Sequence, residues 1–343
     1  MIDLIQNTNL VTLVITAYNK PEYTKKTLES IVSQSYRPIE IIFIDDNSPQ
    51  TLEPFFNNFF REIKDEEIIP KFFRNSKNLG PYYNLLSGFK KINGKYLVIM
   101  NHDDWFTDTD FLKKAITHMD NVSNCFMVVM NSKIEGHELT MFNHKFSSDP
   151  ILLDGKKYLN KYLFKKIHPA YSGVVLNFNK LRNLNYEQVF ISKEEAQTLE
   201  IIPDESFITL SLLAERGSVL VSNQIVSIRG NPRDSYSKTA EWRKIWVLSV
   251  FFPFYKLLIY FIRMKRWRGA IGIFRAIVRL RRVKGSQIMY YLRKDGFHFY
   301  TLLFLINTFY STIIYYLENP RRIIVSILPD LIYKRLVKFR NKS

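Results

Sequence analysis

The chain has almost no sulfur chemistry available: one cysteine, Cys125, in 343 residues cannot form an internal disulfide. Its first ten residues carry no basic segment followed by an apolar run of signal-peptide length. Together these two features give the expectation of a reducing, cytosolic compartment. There is also no Gly-Lys-Ser/Thr phosphate loop and no G-x-G-x-x-G after a strand. A phosphate-bearing ligand would therefore be neutralised by side chains or a metal rather than by a glycine-rich cradle. No internal repeat and no low-complexity linker is present. With 46% hydrophobic and 15% aromatic residues, the sequence is too apolar for intrinsic disorder.

Acidic residues are scarce in one part only. Residues 1–239 hold 28 Lys+Arg and 28 Asp+Glu, whereas residues 240–343 hold 21 and 4, so the tail carries the whole net charge of +17. The expected organisation is a neutral body, 1–239, joined to a basic, aromatic tail, 240–343. Such a tail suits an anionic surface, either lipid headgroups or nucleic acid.

The body has a regular rhythm. Short apolar runs at residues 11–16, 39–44 and 96–100, with a weaker one at 68–73, alternate with helical patterns at about 22–33, 52–63 and 82–92. Strand, crossover and strand at such intervals predict parallel pairing with helices on the sheet faces, a doubly wound α/β core. Residues 131–238 are irregular and polar, with strand-like stretches at 173–176 and 219–228 and a helical pattern at 206–214.

In such sheets ligands bind beyond the carboxyl ends of the strands. Three polar clusters lie there: Thr16-Ala17-Tyr18-Asn19, Asp45-Asp46-Asn47-Ser48 and Asn101-His102-Asp103-Asp104. Each alone could be a turn or a helix cap. Three of them, two with adjacent carboxylates, point to one cleft. Asp103 and Asp104 side by side repel unless solvated, protonated or bound to a cation, and hard Mg²⁺ or Mn²⁺ prefers carboxylate oxygens together with substrate phosphates. Tyr18 offers a flat ring on which a base can stack, and Asp46 an acceptor for a ring imide such as that of uracil.

Several strings resemble one family in order and spacing: Val-Ile-Thr-Ala-Tyr-Asn-Lys (14–20), Glu-Ser-Ile-Val-Ser-Gln-Ser (29–35), Ile-Asp-Asp-Asn-Ser (44–48), Asn-Leu-Gly (78–80) and Gly-Lys-Tyr-Leu-Val-Ile-Met-Asn-His-Asp-Asp (94–104). They look like the family 2 glycosyltransferases with the GT-A fold, closely over about the first 130 residues and more loosely to about 238. The resemblance implies a Rossmann-like GT-A core and an inverting, metal-dependent enzyme taking a nucleotide-sugar donor, with UDP favoured by Asp46. It places Thr16, Tyr18, Asp46, Asn78 and Asp103 around the donor and Asp104 on Mn²⁺ or Mg²⁺. The string Pro-Asp-Glu-Ser-Phe (203–207) resembles the family's acidic motif, so that Glu205, or else Asp204, would be the general base. Either acid could instead cap the helix that follows. The stretch His168-Pro-Ala-Tyr-Ser-Gly173 occupies the place of an acceptor-side loop. Residues 229–237 resemble a late loop over the diphosphate, but lack the histidine often found there, leaving Asn231, water or a more distant group to replace it.

The tail is read in three ways. Arg268, Arg275, Arg279 and Arg282 share one side of an ideal helix opposite Ala270, Ile273, Phe274, Ile277 and Leu280, an interfacial amphipathic pattern. Residues 297–317 carry no formal charge and are long enough to cross a bilayer, though with His298, Asn307 and several Thr and Ser. Ordinary packing on the body is the third reading. Shallow attachment is preferred, because Tyr and Trp among Lys and Arg suit anionic lipid better than nucleic acid. The implied acceptor is a lipid-linked or polysaccharide sugar of surface-glycan biosynthesis, at the cytoplasmic face of the membrane. A sugar-phosphate nucleotidyltransferase and a non-enzymatic membrane- or nucleic-acid-binding protein are the rivals.

Overall fold

The computed structural model describes residues 9–137, 140, 149–155, 157–158, 170–184, 186–194, 217–231, 258–260 and 263. All lie in the unit Met1–Gly272 of the two into which the chain divides. The expectations for His168, Asp204, Glu205, the helix at 206–214, the loop beyond Asn231, the amphipathic helix at 268–282 and the span at 297–317 fall outside the described residues. Among the described residues no helix is long and apolar enough to cross a membrane.

The core is one mixed sheet. Its first half follows the predicted rhythm within a residue or two at most boundaries: β1 (Val11–Ala17), α1 (Pro21–Val32), β2 (Ile39–Asp45), α2 (Glu53–Arg61), β3 (Ile68–Arg74), α3 (Gly80–Phe89) and β4 (Tyr96–Asn101). Then come β5 (Trp105–Phe106), α4 (Phe111–Asn121), β6 (Cys125–Ile134), β7 (Ile151–Asp154), β8 (Val174–Asn177), α5 (Phe178–Arg182) and β9 (Ser218–Arg229). β1 and β2 are buried along almost their whole length, which is why they read as continuous apolar runs rather than alternating ones. In α1, Pro21 starts the helix, and Thr24, Thr27, Leu28 and Ile31 form its buried stripe at helical spacing.

The strand order is β3-β2-β1-β4-β8-β6-β9-β5, with β7 beside β9. β1 to β4 are mutually parallel. β8 runs antiparallel to both β4 and β6, and β9 runs parallel to β6. Two reversals cancel, so β6 and β9 point the same way as β4. The doubly wound expectation thus holds for β1 to β4 and is corrected beyond them: antiparallel β5, β7 and β8 make the sheet mixed, and β6 continues to Ile134 inside the stretch read as irregular. The carboxyl ends of β1, β2, β4, β6 and β9 nevertheless share one edge.

A buried acid holds the opposite, amino-terminal side of β2. Glu40 is 1% exposed and accepts from Thr12 Oγ1 at 2.5 Å, Lys71 Nζ at 2.6 Å and Asn93 Nδ2 at 2.5 Å. Burial pushes its carboxyl up, but the bonds from Lys71, Thr12 and Asn93 outweigh that and hold it below the ordinary 4.5. A depressed folded pKa adds stability above the unfolded value and loses it as pH falls. Glu40→Gln is expected to flatten the fall in melting temperature between about pH 5 and pH 3. A fall as steep as in the wild type contradicts this role.

Part of the region counted with the basic tail belongs to this packing. Leu258, Ile259 and Tyr260 are buried, and Tyr260 Oη donates to Leu184 O at 3.1 Å.

Candidate active site

Register brings the three polar clusters together. Ala17 pairs with Asp45, and Thr16 pairs with Asn101, so the ends of β2, β1 and β4 lie side by side. Asp45 turns out to be structural. Fully buried, it accepts from Ser48 N at 2.8 Å, Ser48 Oγ at 2.5 Å and Leu52 N at 3.2 Å, and pairs with Arg74 at 2.5 Å. That carboxylate builds the turn, as the capping alternative anticipates. Asn19 N–H donates to Ser48 Oγ at 2.7 Å and ties the first cluster to the second.

Asp46, 3% exposed, faces the start of α3. Its Oδ1 accepts from Asn75 Nδ2 at 2.8 Å and Leu79 N at 2.9 Å, and its Oδ2 from Gly80 N at 2.8 Å. The negative charge sits at the positive end of that helix. Three of about four acceptor positions are filled, leaving capacity on Oδ2. Asn78 is exposed, and its Oδ1 also accepts from Gly80 N, at 2.9 Å. Thr16 Oγ1 lies 3.4 Å from Asn101 Oδ1. Tyr18 stands 45% exposed at the end of β1, its ring open to solvent.

After β4 the chain turns tightly, with His102 N–H on Thr16 O and Asp104 N–H on Asn101 O, both at 3.1 Å. Thr27 of α1 pins this turn: its hydroxyl lies 2.7 Å from both His102 O and Asp104 O. Asp103 is half-buried and Asp104 is 1% exposed. Burial first, and then Asp103, push the Asp104 carboxyl up to about 8 against the opposing effect of Arg229, Gly230 N–H and the Ser172 hydroxyl. Burial holds the His102 imidazole below its ordinary range, with Asp103 opposing. From the far half of the sheet, Gly230 N–H donates to Asp104 Oδ1 at 3.1 Å.

An exposed ring follows β1 and adjacent acids follow β4, the strand paired with β1. Residues 12–182 match the family described as Glycosyl transferase family 2. The chain carries a family 2 glycosyltransferase domain. Among relatives, it is 30% identical over 132 residues to an uncharacterized glycosyltransferase of Haemophilus influenzae, covering 38% of each chain. It is 28% identical to the UDP-Glc:alpha-D-GlcNAc-diphosphoundecaprenol beta-1,3-glucosyltransferase WfaP of Escherichia coli, over 54% of this chain and 67% of that one. To the GalNAc(5)-diNAcBac-PP-undecaprenol beta-1,3-glucosyltransferase of Campylobacter jejuni it is 22% identical, over 57% of this chain and 61% of that one. The match thus spans from 38% to 67% of these relatives' lengths. The fold resembles that of S. aureus TarS 1-349 in complex with UDP, with TM-score 0.54 and 12% identity over 82% of this chain and 78% of that one.

Several residues around the acidic pair of this glycosyltransferase domain were not singled out by their sequence: Thr27, Ser172, Gly230, Glu135 and His137. Ser172 had a signal, since it lies in the loop string ending at Gly173, and the structure places its hydroxyl on Asp104 and 3.1 Å from Ser227 Oγ. Thr27 reads as one more position on the helical stripe of α1. Glu135 and His137 carried none, because β6 was not expected to run so far. Among the described residues no group of three or more His, Cys, Asp or Glu forms a metal cage.

Proposed function

We propose that the protein is an inverting, metal-dependent glycosyltransferase, moving a sugar from a UDP-sugar to a hydroxyl of a lipid-linked acceptor in surface-glycan synthesis. The observation that carries this reading is the exposed Tyr18 ring at the end of β1 on the same sheet edge as the adjacent acids Asp103, half-buried, and Asp104, buried. Tyr18 stacks on the base, Thr16 lines its pocket, Asp46 accepts from the ring imide, Asn78 borders the donor and Asp103 approaches the ribose. The acidic pair fits a hard divalent cation such as Mn²⁺ or Mg²⁺. The donors are carboxylate oxygens, one of them desolvated and held up by its neighbour, and one or two protein ligands suffice where substrate phosphates complete the shell. Bound at Asp104, the ion supplies neutralisation of charge on the departing diphosphate. Glu205, with Asp204 second, takes the acceptor proton as the new bond forms, since a carboxylate is too weak to remove it beforehand.

The lipid-linked acceptor is supported by the names of the two undecaprenol-directed relatives and by the +17 charge of residues 240–343. That tail holds the enzyme on the cytoplasmic face of the membrane, where a lipid-borne substrate is concentrated. The protein is expected to sediment with anionic phosphatidylglycerol vesicles at low salt and to be released at high salt. Remaining in the supernatant at low salt contradicts attachment.

The donor is tested by screening nucleotide sugars for Mn²⁺-dependent hydrolysis and thermal protection; no response to any UDP-sugar overturns the UDP assignment. Tyr18→Ala is expected to weaken UDP binding roughly tenfold, for a stacking loss of about 1–1.5 kcal/mol, with Tyr18→Phe close to wild type. Unchanged calorimetric affinity in Tyr18→Ala would remove the ring from the base pocket.

A further inference from the structure

Residues 134–137 form a turn beside the acidic pair that has no part in the chemistry proposed above. His137 N–H donates to Ile134 O at 3.0 Å, and Gly136 takes φ +73°, the positive value its place in the turn requires. The turn grips the end of β9 from both sides of Gly230. Glu135 N–H donates to Arg229 O at 2.9 Å, while Glu135 Oε2 accepts from Asn231 N at 3.3 Å. The Asn231 side-chain amide lies 3.1 Å from His137 Nε2. Lys26 Nζ, 3.9 Å from Glu135 Oε1, steadies the carboxylate from the α1 side. The group held between these bonds is Gly230, whose N–H ends on Asp104 Oδ1.

We propose that Glu135 and His137 are positioning residues for Asp104. The 134–137 turn fixes residues 229–231 so that Gly230 N–H occupies one acceptor position of Oδ1 and orients the carboxylate, which keeps acceptor capacity for the cation beyond the bonds from Gly230 and Ser172. This rests on the reading of Asp104 as a cation ligand. Hydrogen bonds behind a ligating carboxylate set its orientation, and their loss typically costs about 10–100-fold in metal affinity.

The test is Mn²⁺ titration, with and without UDP, read by loss of the free-ion electron paramagnetic resonance signal and accompanied by a melting curve. Glu135→Ala is expected to weaken Mn²⁺ binding by about tenfold or more, and His137→Ala by a smaller factor. Glu135→Gln, which keeps an oxygen for Asn231 N–H, restores most of the affinity. A purely structural turn would lower the melting temperature and leave the dissociation constant of the folded protein unchanged. Wild-type Mn²⁺ affinity in both alanine variants overturns the positioning role alone. A wild type that takes up no Mn²⁺ under either condition overturns the cation reading of Asp104 and this inference with it.

Discussion

Asp104→Asn is expected to transfer sugar at about a thousandth of the wild-type rate or less, while melting close to the wild-type temperature. The activity loss follows from charge. The amide keeps an oxygen for Gly230 N–H and the shape of the side chain, but not the anion that holds a divalent ion against a leaving diphosphate. A stabilisation of about 4 kcal/mol in the transition state corresponds to about 10³ in rate. The small stability effect follows from the same surroundings. Burial, and after it the neighbouring Asp103, disfavour the charged form of Asp104, so a neutral amide of the same shape costs the fold little. Transfer above about a tenth of the wild-type rate would take Asp104 out of the chemistry.

Gly230→Ala is expected to be the more disruptive change to the fold. A Cβ at this position would stand 2.0 Å from Asp103 O, 2.9 Å from Asp103 C and 2.9 Å from its Cβ. The nearest atom is backbone, in a turn pinned by Thr27 and by the end of β4, so it cannot swing aside as a side-chain tip could. The strand end must lift, breaking the bond from Gly230 N–H to Asp104. Overpacking of this kind costs about 1–3 kcal/mol, and the upper end applies here. Displacement of Asp104 by a fraction of an ångström to 1 Å is expected to lower turnover by about 100-fold. A Gly230→Ala variant with wild-type melting temperature and turnover would show that β9 does not rest on the acidic pair.

These two residues differ in how far their sequence announces them. Asp104 is legible because two adjacent acids after a buried apolar run make an electrostatic conflict visible without a structure. Tyr18 is legible for the same positional reason, at the end of β1. The first half of the sheet was equally accessible, since β1, β2 and β4 are buried along nearly their whole length and a helix lies between each successive pair of strands from β1 to β4. Asp45 shows the limit of such reading: it looks like Asp46 in the sequence, yet its partners Ser48, Leu52 and Arg74 make it a turn builder. Gly230 could not be singled out, because what it approaches, Asp103 O, lies 127 residues away in the chain. Glu135 and His137 were hidden by the mixed half of the sheet. There β6 pairs with β8 and β9 across long separations, and an antiparallel strand between two parallel ones leaves no local rhythm to follow.

The central claim is that the carboxylates closing β4 hold a cation against a nucleotide diphosphate whose base rests on Tyr18. Calorimetric titration of UDP into the protein, once with Mn²⁺ and once with excess EDTA, tests it most directly. The account predicts measurable binding with Mn²⁺ that weakens by about tenfold or more in EDTA and in Asp104→Asn. Equal affinity under both conditions, or binding that Asp104→Asn leaves untouched, would contradict it.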